Sequence, residues 1–256
     1  MKIEELENMH ADSPLIFVTG SGPSLHDVNI DMIKEYPIIS VNSSIMKFGA
    51  FANHFVSDDI GAKNWNYYTQ ILPNIPCTKL LYKDKLKMHA KYFDKDKVVF
   101  FKHKWWFSPK ENKYNSKGLV LTKDAKAPIV GARTSLGTAL HFAYIMGGEN
   151  TRIVLLGSDC CYRGNKRYFW QLDGEPQVFR TTGEPVFSTP NRGRYMGEPV
   201  DAHSMDFLQY WKAFVKQNEG TPNLHIINSS GGILDYFERM PLEEVLIKYG
   251  NKKEQT

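Results

Sequence analysis

The chain has 256 residues, 42% hydrophobic and 23% charged, with three cysteines and a formal net charge of +4. That length allows one large domain with a substantial core, and the composition excludes a disordered chain. No run approaches the roughly 20 apolar residues of a membrane span, the acidic Met1-Lys2-Ile3-Glu4-Glu5 start does not read as a secretory signal, and the adjacent Cys160 and Cys161 give no disulfide framework, so a cytoplasmic protein is expected.

In chain order, Leu15 to Thr19 predicts a buried strand that runs into the tight loop Gly20-Ser21-Gly22-Pro23-Ser24. A weak helical pattern follows over His26 to Tyr36. Pro37 to Val41 and His54 to Val56 are the next strands, the latter ending at Ser57-Asp58-Asp59. Ala62 to Leu72 predicts a helix stopped by Pro73, and Cys77–Tyr82 and Val98–Phe101 two further strands. Leu136, Leu140, Ala143 and Tyr144 mark the clearest helix, capped by Thr134 or Ser135 and ended by Gly147-Gly148. Arg152–Leu156 is then a strand leading to Gly157-Ser158-Asp159. After a long polar stretch come a helix over Asp201–Gln217 and a strand over Leu224–Ile227. Strands alternating with helices predict an α/β fold with a mostly parallel, doubly wound sheet in one domain over 1–256. Ligands of such sheets sit beyond the carboxyl ends of the strands.

The strand ends carry the candidate chemistry. Glycines at 20 and 22 let a ligand approach the backbone, and Ser21 and Ser24 offer hydroxyls to phosphate or sugar oxygens. The loop is neither a Walker loop nor the dinucleotide fingerprint, since no Gly-Lys-Ser/Thr follows and the third glycine is missing. Asn42 supplies donor and acceptor. Asp58 and Asp59 suit a metal, a hydroxyl or a helix cap. Arg133-Thr134-Ser135 at a helix start reads as an anion site or as a cap with an unexplained arginine. No cysteine or histidine spacing matches a zinc site. From Lys79 to Lys126 lysines alternate with aromatics, as in Phe100 to Phe107. The part from about 83 to 126 reads as an insert, either solvated or, with Trp105 and Trp106 stacking and Lys102 and Lys104 meeting phosphates, an acceptor surface.

Taken together, Gly20-Ser-Gly-Pro-Ser-Leu25, Asn42, Arg133-Thr-Ser135 and Gly157-Ser-Asp159 resemble the bacterial sialyltransferases of the GT42 group. They also resemble the related domain of archaeal 6-hydroxymethylpterin pyrophosphokinases and glycosyltransferase-like proteins. The resemblance runs from Gly20 to about Gly232 and implies a Rossmann-like domain of a GT-A-like variant. It implies a glycosyltransferase that is metal-independent and uses a nucleotide sugar as donor substrate, with no further cofactor. In those enzymes two tyrosines six residues apart serve the departing phosphate. Tyr162 and Tyr168 have that spacing here, with one extra residue before Tyr162. By the same likeness Gly22 and Ser24 lie near the phosphate, Asn42 and Asp58 near the ribose or acceptor, and Thr134 and Ser135 on the nucleotide, with Gly20, Ser21, Arg133, Gly157 and Asp159 completing the donor site. Arg194 stands where the family has a histidine base, and an arginine stays protonated at any working pH. Glu198, Asp201 and His203 are the replacements nearby, with His203 favoured by its unperturbed pKa. Arg192 and Arg194 then suggest an anionic acceptor, a lipopolysaccharide-type glycan or a hydroxylated base in DNA. The rival expectation is a pterin-type pyrophosphokinase holding magnesium and ATP through Asp58 and Asp59, and a third is a non-catalytic nucleotide- or glycan-binding protein.

Overall fold

The computed structural model describes residues 1–83, 87–104, 107–108, 113–114, 120–131, 134–183 and 193–250, and the side chains of residues 60, 87–89, 104, 107–108, 113–114 and 202–203 fall outside that description. Five strands, β1 (Leu15–Thr19), β2 (Ile38–Val41), β3 (His54–Ser57), β4 (Thr78–Tyr82) and β5 (Val98–Phe101), run side by side. On the other side of β1 lie β6 (Arg152–Leu156), β7 (His225–Asn228) and β8 (Glu238–Arg239). The sheet order is therefore β8-β7-β6-β1-β2-β3-β4-β5, and every pairing in it is parallel.

Both faces of this sheet are covered, which is why its strands are near-continuous apolar runs instead of alternating ones. Ile16, Val18, Ile39, Val56 and Leu80 face one layer, and α1 (Ser135–Met146) and α2 (Ala202–Asn218) pack there. Leu15, Phe17, Ile38, Phe55 and Leu81 face the other, under Leu25, Ile45, Tyr68 and α3 (Leu242–Tyr249). Every residue of α1 is buried, as expected of a helix apolar on all sides.

The expected helices over His26–Tyr36 and Ala62–Leu72 are not α-helices. The first is two 3-10 turns, Pro23–Asp27 and Ile30–Met32. The second is a 3-10 turn over Ile60–Asn64 and a single wide turn over Tyr67–Ile71. The reason lies between them. The Asn66 N–H donates to the Phe179 carbonyl (3.0 Å) and its side chain donates to the Gln177 carbonyl (2.9 Å), so tertiary bonds replace the helical ladder. Of the insert, Leu121 and Ala125 join the core, and Lys123 caps α1 by donating to the Gly147 carbonyl at 2.5 Å. Trp105 and Trp106 lie outside the described residues. Among the described residues no helix is long and apolar enough to cross a membrane.

Candidate functional site

Because β1 and β6 are neighbours whose connections leave in opposite directions, a crevice opens beyond their carboxyl ends. The two loops there cross at backbone distance. Gly20 N–H donates to the Leu156 carbonyl (2.7 Å), and Gly22 N–H donates to the Gly157 carbonyl (2.8 Å). A Cβ on Gly20 would press into the Gly157 carbonyl, and one on Gly22 would lie 2.7 Å from it. Gly157 itself has φ +63°, and its own Cβ would sit 2.7 Å from the Gly20 oxygen. Loop crossing, as much as ligand approach, thus demands these three glycines. Asp159 clamps the crossing from beneath. It is 4% exposed and accepts from Ser24 N (3.2 Å) and Ser24 Oγ (2.9 Å). Burial pushes its carboxyl up to about 6 against the pull of those bonds.

The crevice is a cleft of about 660 Å³, within the range of small-molecule sites. Its floor is built from the ends of β2, β3 and the start of α1. Asn42 has φ +51°, a conformation that asparagine tolerates better than most residues. Its Oδ1 is buried, as is Ser158 Oγ, and neither has a hydrogen-bond partner among the described residues. Both residues line the cleft. Thr134 caps α1, its Oγ1 accepting from Gly137 N at 2.9 Å, while Thr138 N–H donates to the Thr134 carbonyl at 3.1 Å. That leaves the N–H groups of Ser135 and Leu136 at the cleft, on the positive end of a 12-residue helix.

Asp58 sits at the end of β3 against that helix. Ser135 Oγ donates to Asp58 Oδ1, and Thr138 Oγ1 donates to Oδ2 at 2.9 Å. His103 Nε2 is 3.5 Å from the same oxygen. Burial alone pushes this carboxyl up, but the histidine and the two hydroxyls outweigh it and hold it below the usual range. Asp59 turns aside and accepts from Gly61 N at 2.7 Å.

The remaining wall comes from the polar stretch after β6, residues 163–181. Phe169 N–H donates to the Ser21 carbonyl (3.1 Å) and Thr181 N–H to the Asn64 carbonyl (2.8 Å), tying the segment across the sheet edge. Trp170 Nε1 donates to Ser43 Oγ (3.1 Å), which donates to Ser21 Oγ (2.9 Å). Glu175 accepts from Lys47 Nζ at 3.1 Å and faces His26 Nδ1 at 2.9 Å. The segment presents Arg167, Tyr168, Trp170 and Arg180 to the cleft. Tyr168 stacks on Trp170 with ring centres 5.1 Å apart and an 8° interplanar angle, and the Arg180 guanidinium lies 5.3 Å over Trp65. Burial pushes the Tyr168 hydroxyl up, opposed by Arg167.

Set beside the expectations from sequence, Gly20, Ser21, Gly22, Asn42, Asp58, Thr134, Ser135, Gly157, Asp159 and Tyr168 all line this one cleft. Four assignments need correction. Tyr162 is not on the cleft. It is 3% exposed and its hydroxyl donates to Asp201 Oδ2 at 2.8 Å. Two residues before it, Cys160 takes φ +56°. Ser24 is spent on Asp159, and Thr134 on its own helix. Arg194 is exposed on the short hairpin Gly193–Tyr195/Glu198–Val200 and donates to the Gly197 carbonyl (2.8 Å), away from the cleft.

Arg133 and Arg192 lie outside the described residues. His203 is in the first turn of α2, which Asp201 caps. Asp201 is itself occupied by Tyr162, Arg167 (3.1 Å) and Ser204 (2.7 Å). Trp65, Arg167, Trp170, Arg180 and His103 are the site residues that sequence reasoning missed. The run Lys166-Arg167-Tyr168-Phe169-Trp170 was the readable signal, a cationic and aromatic cluster in an otherwise polar stretch. Among the described residues no three His, Cys, Asp or Glu side chains converge on a point where a metal would sit. No family model matches the chain, and no curated protein or solved structure does either.

Proposed function

We propose that the protein is a glycosyltransferase that moves a sugar from a nucleotide-sugar donor to an acceptor hydroxyl. The observation that carries this reading is the convergence, over the crossing of β1 and β6, of a helix N-terminus with an aromatic wall holding two arginines. The α1 N–H groups and the arginines suit an anionic phosphate. Trp65, Trp170 and Tyr168 offer faces for a base or a sugar ring. Asn42 Oδ1 and Ser158 Oγ offer buried polar atoms that a ligand's hydroxyls would satisfy.

In the proposed reaction the acceptor oxygen displaces the nucleotide at the anomeric carbon. Arg167, Arg180 and the Tyr168 hydroxyl stabilise the charge that grows on the departing phosphate. The ATP and magnesium alternative draws little support from its own residues. Its second carboxylate, Asp59, turns aside and accepts from Gly61 N at 2.7 Å, so the two acids do not face the cleft as a pair.

The test is nucleotide release from CMP-, UDP- and GDP-sugars and from ATP, with EDTA or with magnesium. Release from one nucleotide sugar in EDTA is the expected outcome. Magnesium-dependent AMP release from ATP would overturn the reading in favour of a pyrophosphokinase. Binding without turnover of any of the four would leave a nucleotide-binding protein.

A further inference from the structure

The residues after β5 do more than fill an insert, because they bring a histidine to Asp58, which lines the cleft. His103 begins a two-residue strand that pairs in parallel with Ile129–Val130. Its side chain is 1% exposed, and Nε2 lies 3.2 Å from Thr138 Oγ1 and 3.5 Å from Asp58 Oδ2. A carboxylate can only accept, so Nε2 facing Asp58 carries the proton. The chain makes room for this meeting at Gly131, where a Cβ would lie 2.8 Å from Thr138 N and 3.1 Å from His103 Nε2.

An ionised carboxylate has about four acceptor positions. Ser135, Thr138 and His103 take three on Asp58, whose remaining side faces the cleft with 12% of the side chain exposed. The neighbouring Asp59 also lines the cleft, with its carboxyl on Gly61 N. Among the groups packed on His103 are the Tyr82 ring at 5.8 Å, the Phe101 ring at 6.3 Å and His141. His141 is neutral, its pKa lowered to about 4 mainly by burial, and it is held by Val130 N at 2.8 Å and the Thr122 carbonyl at 2.9 Å.

We propose that Asp58 is the base that takes the proton of the acceptor hydroxyl, and that His103 is the positioning residue that holds Asp58 ionised and oriented for it. The inference rests on the glycosyltransferase reading. In the step, the acceptor oxygen bonds to the anomeric carbon while the bond from that carbon to the phosphate oxygen breaks. The electron pair leaves with the nucleotide, and the hydroxyl proton passes to Asp58. This supplies the base that Arg194 cannot be.

The test uses the nucleotide sugar that the full chain hydrolyses fastest among CMP-N-acetylneuraminate, UDP-glucose and GDP-mannose, with water as acceptor. Asp58→Asn should lower kcat about 100-fold or more, the usual span for losing a general base, with donor KM within about twofold. His103→Leu should lower kcat about tenfold and move the acid limb of the pH profile to higher pH, because Asp58 loses a donor that favours its ionised form. His103→Gln, which keeps an N–H donor, should recover most of both. Nitrogen-15 NMR of the wild type should show His103 as the Nε2–H tautomer.

A kcat for Asp58→Asn within threefold of wild type would overturn the assignment while leaving the transferase reading intact. So would His103 variants that lose stability with the acid limb unmoved. A wild type that releases no nucleotide from any of the three sugars would overturn both, and an Nδ1–H tautomer would overturn the pairing whatever the activity.

Discussion

The two walls of the cleft are built on opposite principles. The wall of strand-end loops, Gly20–Ser24 with Gly157–Asp159, spends most of its hydrogen-bonding groups on itself, through backbone crossings and the Asp159–Ser24 clamp. The wall from 163–181 is fixed to its neighbours by main-chain bonds and distant pairs such as Glu175–Lys47, and turns Arg167, Tyr168, Trp170 and Arg180 towards the opening. On the proposed reading, the glycine-rich loop at a strand end marks where the ligand site is, while the groups that would choose the ligand stand across from it. Changes in the first wall should register as stability, and changes in the second as binding and turnover.

The largest expected effect lies in the first wall. Gly157→Ala places a Cβ at φ +63° and 2.7 Å from the Gly20 oxygen. Left-handed backbone and overpacking together should cost about 3–4 kcal/mol in urea unfolding. A loss below about 1 kcal/mol would show that the crossing is loose and the contrast between the walls overstated.

Next comes the clamp. Asp159 has a folded pKa of about 6 against an ordinary 3.8, with burial the main cause. A raised folded pKa gives stability that is present below pH 4 and lost as pH rises through about 6. The full difference is worth about 3 kcal/mol. Asp159→Asn removes this dependence, so the variant should gain on the wild type by about that amount between pH 4 and pH 7. A difference that stays constant across the range would mean that Asp159 keeps an ordinary carboxylate pKa.

In the second wall, Arg180→Ala should weaken nucleotide binding by about 2 kcal/mol, the worth of a charged hydrogen bond. Its melting temperature without ligand should stay within about 3 °C, a cost of roughly 1 kcal/mol or less. Unchanged affinity with lowered stability would place Arg180 with the first wall.

The smallest effects separate the two tyrosines. Tyr162→Phe should cost about 1–2 kcal/mol of stability by stripping Asp201 of a buried donor, with kcat unaffected. Tyr168→Phe should reduce kcat about tenfold, roughly 1.4 kcal/mol of barrier, with little change in stability. Equal kinetic losses in both would return Tyr162 to the cleft.

Much of the fold was legible because parallel strands buried on both faces are continuous apolar runs, and Leu15–Thr19, Ile38–Val41 and Arg152–Leu156 are such runs. The strand-end glycines and Asn42 were legible for the same reason, since an apolar run fixes where a loop begins. What sequence did not show depends on distant partners. Nothing local says that Asn66 bonds to Gln177 instead of continuing a helix, or that His103 reaches Asp58 across 45 residues. The spacing of Tyr162 and Tyr168 fitted the resemblance, but spacing does not show that Tyr162 turns inward to Asp201.

The central claim is that the crevice between the β1 and β6 loops binds a nucleotide, and one ligand panel tests it. Melting temperatures are measured with CMP, UDP, GDP and ATP for the wild type and for Asn42→Gly, which keeps φ +51° without cost and removes only the side chain. At least one nucleotide should raise the wild-type melting temperature in proportion to the logarithm of its concentration, and the rise should shrink in Asn42→Gly. No shift with any of the four, or an equal shift in both proteins, would contradict the account.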